Sequence, residues 1–246
     1  MVSLNNKSLF LHKKYPNMKK SIFIILLQLF CISSFSQTSS DSLLFIRDFI
    51  AKKTDKFLTV KGIELKPGLK MNDMLDQLLK NGFKKSEFFN STKEQYGAYD
   101  LIGTFFNCAN CKLKIIPTNT DKSIVGIIGI NFPESTSFKE LKNKYLNLKS
   151  ALSDKYYTFS SDERFDNEYV DKSTSDILKL NALERNEAIF ESRFYATNAP
   201  LSILLGQVIL KIDHINVNYE PTSYISLIYC TSDRVIEEYI SSENDL

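Results

Sequence analysis

The sequence has no tryptophan and only two histidines, eight glycines and four cysteines among 246 residues. One histidine, His12, lies in an N-terminal segment that we predict to be removed. His214 is then the single imidazole left, which excludes most hydrolase mechanisms that use histidine as a base. The scattered glycines form no phosphate-binding loop. Tryptophan, the residue on which sugar rings usually stack, is absent. No motif therefore indicates a catalytic residue, a metal site or a cofactor.

Residues 1–36 are predicted to end in a secretory signal peptide, with translation starting at Met18. Lys19 and Lys20 supply the positive start, an apolar stretch follows, and small residues predict cleavage after Ser36. The apolar stretch is shorter than the roughly 20 residues of a spanning helix, although an uncleaved anchor is the alternative. We expect export to the periplasm, the cell surface or the medium, with no membrane span after cleavage.

The predicted mature chain, residues 37–246, has no basic surplus. The full sequence has 31 basic and 29 acidic residues, and removing residues 1–36 takes away five lysines and no acid, which leaves a net charge of −3. Nonspecific nucleic-acid binding depends on a surplus of lysine and arginine, so we expect no nucleic-acid partner. The length suits one domain, or two intimately packed halves at 57–133 and 134–240.

The first half combines an amphipathic helix with period-two strands. Residues 57–65 are predicted to form one strand, and apolar residues at helical spacing from Met71 to Leu79 predict a helix that stops at Gly82. Strands are then predicted at 96–106, 111–116 and 123–132, joined by turns at 107–110 and 118–121.

The second half repeats this order. Ser137 begins a capping box and a helix to about Tyr156, in which we expect Lys144 to face solvent and five apolar residues to be buried: Phe138, Leu141, Tyr145, Leu148 and Leu152. After a polar connection at 160–175 and a short helix, strands are predicted at 188–197, 207–217 and 224–231, and a final helix at 233–240. The predicted fold is α+β, with two antiparallel three-stranded meanders, each preceded by an amphipathic helix. Either a tandem α-β-β-β duplication or coincidence explains the repeated order.

Several structural motifs resemble those of uncharacterised secreted α+β proteins of Gram-negative bacteria. The segments that carry this resemblance are Lys61-Gly62-Ile63, Pro67-Gly68, Lys80-Asn81-Gly82-Phe83, Gly103-Thr104-Phe105, Ile130-Asn131-Phe132-Pro133 and residues 148–156. The paired helix-and-meander order is also similar to the folds of the beta-lactamase inhibitory protein and of the small lipoprotein of the barrel assembly machinery. These resemblances imply a fold and bring no catalytic residue, because fold does not fix function.

The cysteines of the mature chain are Cys108, Cys111 and Cys230. In an oxidising compartment Cys108 and Cys111, which flank a predicted turn, form the favoured disulfide. Buried free thiols are the alternative, and we expect Cys230 to be one. A redox Cys-x-x-Cys would need a helix start, and a zinc site with Cys230 and His214 rests on residue count alone.

Two further sets of residues bear on function. An aromatic cluster is a candidate ligand or partner surface, with core packing as the alternative; it comprises Tyr156, Tyr157, Phe159, Phe165 and Tyr169. Two acid pairs, Asp162/Glu163 and Asp166/Glu168, are candidates for a small secreted hydrolase. The sequence favours an exported binding or interaction module that holds another envelope or exported protein, and it indicates no oligomeric state.

Overall fold

The described part of the chain begins well after the predicted signal peptide. The computed structural model describes residues 56–198, 202–217 and 220–243, together with the single residues 41, 45, 48, 49 and 52. At 215–217, 220–222 and 242–243 it describes the backbone alone. The predicted signal peptide lies outside these residues. The described residues all belong to one compact unit, Thr38–Leu246.

Six helices and ten strands make up the described residues, which confirms the α+β class. The strands are β1 Thr59–Val60, β2 Ile63–Glu64, β3 Lys84–Lys85, β4 Tyr99–Phe105, β5 Cys108–Pro117, β6 Val125–Asn131, β7 Tyr157–Phe165, β8 Ala188–Tyr195, β9 Gln207–Val217 and β10 Glu220–Cys230. The helices are α1 Met71–Lys80, α2 Phe89–Tyr96, α3 Phe138–Ser153, α4 Glu168–Lys172, α5 Asp176–Glu184 and α6 Ser232–Glu243. A 3₁₀ turn, Ser202–Leu205, precedes β9.

The prediction of two separate three-stranded meanders is wrong. One eight-stranded antiparallel sheet has the order β3-β4-β5-β6-β10-β9-β8-β7, and β1 and β2 form a separate hairpin. The last strands of the two meanders pair directly, with Ile130 opposite Leu227 and Ile128 opposite Tyr229. This pairing removes two exposed apolar edges, which is the physical reason for the merger. The sheet order is symmetric about β6 and β10, and the duplication stays a hypothesis.

The predicted polar connection at 160–175 begins with a strand. Residues 157–165 form β7, which pairs with β8 at one edge of the sheet. The serines and charged residues of β7 do not alternate with apolar residues, so the sequence shows no strand pattern there. An edge strand is largely exposed and can fold without such alternation. An irregular register between Thr158 and Ser160 and several charged side chains protect this edge.

The predicted strand at 57–65 is a hairpin. Lys61 and Gly62 connect β1 and β2, with φ values of 52° and 81°. Positive φ at both central residues is the type I′ turn that suits a two-residue hairpin. Glycine tolerates this conformation at no steric cost. The pair Lys61-Gly62 therefore indicated a turn within the segment predicted as one strand, residues 57–65.

One face of the sheet carries the apolar core. A continuous row of buried side chains crosses five strands through Leu101, Leu113, Ile130, Leu227 and Leu210. The row continues into Ser192 of β8 and Ser161 of β7. The helices α3 and α5 pack against β8, β9 and β10. Polar residues therefore enter the row where it approaches the sheet edge.

Helix α3 has the predicted start and buried face, and it ends at Ser153, three residues before the predicted end. The hydroxyl of Ser137 accepts a hydrogen bond from the backbone N–H of Glu140 at 3.3 Å, which caps the first turn. The five predicted apolar residues are all buried. Lys144 does not face open solvent as predicted, since its Nζ lies 3.4 Å from the Sγ of Cys108 and 5.8 Å from the ring centre of Phe132.

Candidate functional site

The structure separates the five residues of the predicted aromatic surface. Phe165 is buried and packs edge to face on Phe138 and Phe190, whereas Tyr169 is 73% exposed on α4. Tyr157 is exposed at the start of β7, and half-buried Phe159 packs on Tyr195 with ring centres 4.8 Å apart. Tyr156 is buried in the wall of a cleft. The five residues thus form no single surface.

The acid pairs of the hydrolase hypothesis are distributed along an edge strand and a helix. Asp162 and Glu163 are neighbours on β7 and therefore point to opposite faces of the sheet. Each of the four carboxylates contacts a cation: Asp162 and Asp166 with Arg164, Glu163 with Lys149, and Glu168 with Lys172. None of the four lines the cleft described below.

The thiols lie on strands and are free. The turn between β4 and β5 is Phe106-Asn107, with φ values of 46° and 59°, so the predicted turn at 107–110 is wrong and Cys108 begins β5. Asn110, with φ 59°, forms a bulge between Cys108 and Cys111. The Sγ of Cys111 donates to the carbonyl of Cys108 at 3.2 Å, and no disulfide joins the described cysteines. The disulfide of the oxidised protein stays a prediction.

We expect one rapidly reacting thiol in the folded protein. Burial raises the pKa of the Cys111 thiol to about 11, and burial raises that of Cys230 to about 12. A raised pKa leaves less thiolate at pH 8, and the thiolate is the nucleophile. Cys108 is half-exposed, so iodoacetamide at pH 8 should alkylate Cys108 first and the other two only in denaturant. If exported protein gives no native alkylation until reductant is added, Cys108 is in a disulfide, as the predicted Cys108–Cys111 pair requires.

A chain of hydrogen-bonded polar groups, absent from the sequence predictions, links α3 to the sheet edge. The hydroxyl oxygens of Tyr145 and Ser192 lie 2.7 Å apart, and those of Ser192 and Ser161 lie 2.9 Å apart. Lys149 Nζ donates to Ser161 at 2.8 Å and is in contact with the carboxylate of Glu163. A serine beside a lysine resembles a serine–lysine nucleophile, but here Lys149 donates to Ser161 and also contacts the carboxylate of Glu163, as in an ion pair. These hydrogen bonds provide partners for the buried hydroxyl groups of Tyr145 and Ser192.

His214, the single imidazole of the predicted mature chain, lies opposite Ser223 on neighbouring strands. Ser223 makes both of its backbone hydrogen bonds to Ser135, so its pair with His214 is of the non-hydrogen-bonded kind, in which side chains lie closest. Nevertheless, Ser223 Oγ is buried and has no hydrogen-bond partner among the described residues. Asp213 pairs instead with Lys211 at 2.7 Å. The arrangement lacks the hydrogen bond by which a histidine activates a serine.

A cleft of about 380 Å³, the α3 cleft, lies where three elements meet. The β1–β2 hairpin, the β4–β5 turn and the C-terminal end of α3 surround it. The residues that line it are Thr59, Lys61, Gly62, Thr104, Phe105, Phe106, Asn107, Ala151, Leu152, Lys155, Tyr156 and Tyr229. Its volume is at the small end of the range for ligand pockets, roughly 300–1,000 Å³.

The α3 cleft has an apolar floor and a polar rim. Phe105, Leu152, Tyr156 and Tyr229 are buried and form the floor, and burial raises the pKa of Tyr229, which stays a neutral phenol. The exposed residues of the rim are Lys61, Gly62, Thr104, Phe106, Asn107 and Lys155. An apolar floor with a few polar groups at the opening is the usual composition of a binding site.

Tyr156 and Lys155 attach the hairpin to the helix. The Tyr156 hydroxyl accepts from the backbone N–H of Thr59 at 3.0 Å and lies 3.2 Å from the Thr59 carbonyl oxygen, to which it donates. Lys155 Nζ donates to Thr59 Oγ1 and lies 5.1 Å from the centre of the Tyr156 ring. These bonds hold one wall of the α3 cleft in place. Sequence patterns pointed to Tyr156 alone, because the other walls come from segments distant along the chain.

The described residues contain neither a cluster of metal ligands nor a helix that could span a membrane. No group of three or more histidine, cysteine, aspartate or glutamate side chains there could hold a metal ion. Within the same residues, no helix has both the length and the apolar character needed to cross a bilayer.

The comparisons with known proteins do not assign a family. No protein-family model, curated protein or solved structure matches this chain. The resemblance to secreted proteins of Gram-negative bacteria stays a prediction, and a function has to be argued from the α3 cleft itself.

Proposed function

We propose that this protein is an exported binding module and that the α3 cleft is its binding site. Export follows from the signal peptide predicted to end near Ser36, and the partner we propose is another protein of the cell envelope or an exported protein. The observation that carries the binding function is the α3 cleft, in which buried aromatic side chains lie beneath exposed polar ones.

The otherwise polar rim of the α3 cleft carries one exposed aromatic side chain, Phe106, which supports binding of a partner. Phe106 is 46% exposed at the tip of the β4–β5 turn and contacts the Phe105 ring edge to face, with ring centres 5.1 Å apart. Aromatic side chains at a concave site carry much of the energy of protein interfaces. Phe106 lies in a two-residue turn with positive φ at both residues, and a tight turn keeps the conformational cost of ordering the backbone on binding low.

Binding has better support than hydrolysis. A small hydrolase that uses Asp162/Glu163 and Asp166/Glu168 would need two carboxylates facing one pocket. The structure gives each of these carboxylates a cation partner and places none of them in the lining of the α3 cleft. The lining contains neither an acidic side chain nor a histidine or cysteine.

Filling the α3 cleft should abolish partner binding. Ala151 lies on the cleft side of α3, so Ala151→Trp would fill the space with an indole ring. In pull-downs of tagged mature protein from envelope extracts, we expect the wild type to recover one stoichiometric partner and Ala151→Trp to lose it. Asn147→Trp places the same side chain at an exposed position on the same helix that does not line the cleft, and it should retain the partner.

Equal recovery by the two variants would contradict the assignment of the site. Far-ultraviolet circular dichroism and the midpoint of thermal unfolding show whether Ala151→Trp remains folded. N-terminal sequencing of exported protein checks the other part of the proposal, since a mature chain beginning at Gln37 is expected. A protein retained in the cytoplasm with its first 36 residues intact would contradict export.

A further inference from the structure

The charge of the α3 cleft indicates the chemistry of its ligand. Lys61 and Lys155 lie on its rim, and none of its lining residues is acidic. Several cations elsewhere in the described residues pair with a carboxylate, as Lys211 does with Asp213 at 2.7 Å and Lys66 with Glu64 at 2.8 Å. A concave surface with positive charge alone concentrates anions.

Lys155 is positioned to meet a ligand. Its Nζ donates to Thr59 Oγ1 and lies near the Tyr156 ring, while the residue as a whole is exposed. No ion pair of Lys61 or Lys155 exists among the described residues. An ammonium group has three donor hydrogens, so Lys155 keeps donors for a ligand after bonding Thr59. A hydrogen bond between two charged groups is roughly twice as strong as one between neutral groups.

We propose that the α3 cleft binds a carboxylate side chain that lies next to an apolar side chain in an extended loop of the partner protein. This inference rests on the proposed binding function and specifies its ligand. The carboxylate meets Lys61 and Lys155, and the apolar side chain covers Phe106 and the floor of the cleft. A volume of about 380 Å³ accommodates only one or two side chains, so the rest of the loop extends over the two exposed turns at the rim.

Short peptides test this proposal directly. The probes are the capped peptide Ac-Ala-Phe-Glu-Ala-NH₂ and its Gln counterpart, titrated into ¹⁵N-labelled mature protein and followed by NMR shifts. We expect the Glu peptide to shift Lys61, Phe106 and Lys155 amides and to bind about tenfold more tightly than the Gln peptide, a ratio that decreases as salt rises. Equal affinities of the two peptides, or no shifts at the α3 cleft with either, would overturn the ligand class.

A lysine variant identifies the charge that is recognised. Lys155→Met keeps the apolar stem and removes the ammonium group, so it should weaken the Glu peptide about tenfold more than the Gln peptide, whose affinity reports any change in the wall that Lys155 helps to hold. The control, Lys139→Met, removes an exposed lysine of the same helix that does not line the cleft, and it should leave both peptides unchanged. The same loss of Glu-peptide affinity in both variants would contradict a specific role for Lys155.

Two further outcomes separate this inference from the proposed function. N-acetylphenylalanine carries the same two groups on a free small molecule, and tighter binding of this compound than of the Glu peptide would overturn the assignment to a partner loop. If Ala151→Trp loses the envelope partner while both peptides bind equally, the binding function stands and the acidic ligand is wrong. If Ala151→Trp retains the partner, the binding function itself fails at this cleft.

Discussion

Replacing Gly206 by alanine is expected to lower the free energy of unfolding by about 3 to 5 kcal/mol. Gly206 has a φ of 94°, a conformation that L side chains rarely adopt. An added Cβ would lie 2.4 Å from the carbonyl oxygen of Cys230 and 3.2 Å from the backbone N of Ser232. Both of these neighbours are backbone atoms, at the end of β10 and the start of α6. The backbone at this junction would therefore have to move.

A glycine inside the sheet, Gly129, provides the control. Gly129 lies on β6, and an added Cβ there meets no atom within 4 Å. Gly129→Ala should change the free energy of unfolding by less than about 1 kcal/mol, with a small gain because alanine restricts the unfolded chain. Chemical denaturation of both variants measures the difference. Equal midpoints would show that the close approach between Gly206 and Cys230 does not exist in the folded protein.

Leu148→Ala should destabilise the protein by about 2 to 5 kcal/mol. Leu148 is 4% exposed on α3, whose buried face packs on β8, β9 and β10. Truncation removes buried methyl groups and leaves a cavity that the rigid sheet cannot fill. In a chain of this size, 1 kcal/mol corresponds to about 2–4 °C in the midpoint of thermal unfolding, so a decrease of roughly 10 °C is expected.

A second leucine-to-alanine variant, Leu146→Ala, isolates the contribution of side-chain burial to stability. Leu146 is 38% exposed on the opposite side of α3, and Leu146→Ala changes helix propensity by the same amount. It should cost less than about 1 kcal/mol. This control is better matched than Lys144→Ala, because Lys144 contacts Cys108 and Phe132. Similar thermal shifts for the two leucine variants would contradict the assigned buried face of α3.

Local patterns predicted most of the elements and few of their partners. The capping box at Ser137 and the apolar spacing along α3 identify its start and its buried face, since both depend on residues within a few positions. The strand β9 has the predicted bounds for the same reason. By contrast, β7 was missed because an exposed edge strand need not alternate apolar and polar residues, and the β1–β2 hairpin was missed because two short apolar strands resemble one longer strand.

The candidate site was the least predictable part of the molecule. Of the five predicted aromatic residues, only Tyr156 contributes to the α3 cleft. Phe105 and Tyr229 have ordinary strand patterns, and Lys61 and Lys155 are two lysines among many. Their proximity depends on the packing of α3, β4, β10 and the hairpin, which no local pattern encodes.

The sequence by itself determined the α+β class, the position and buried face of α3, and the lack of the motifs that imidazole, metal or nucleotide chemistry requires. These properties depend on composition and on side-chain spacing along a single segment. Only the tertiary structure decided that two meanders join into one sheet through β6 and β10, that each acidic pair is neutralised by neighbouring cations, and that two lysines meet buried aromatic rings in one cleft. The physical reason is that strand pairs and concave surfaces form between segments that are distant along the chain. Their stability depends on the apolar area that these segments bury together, which no single segment encodes.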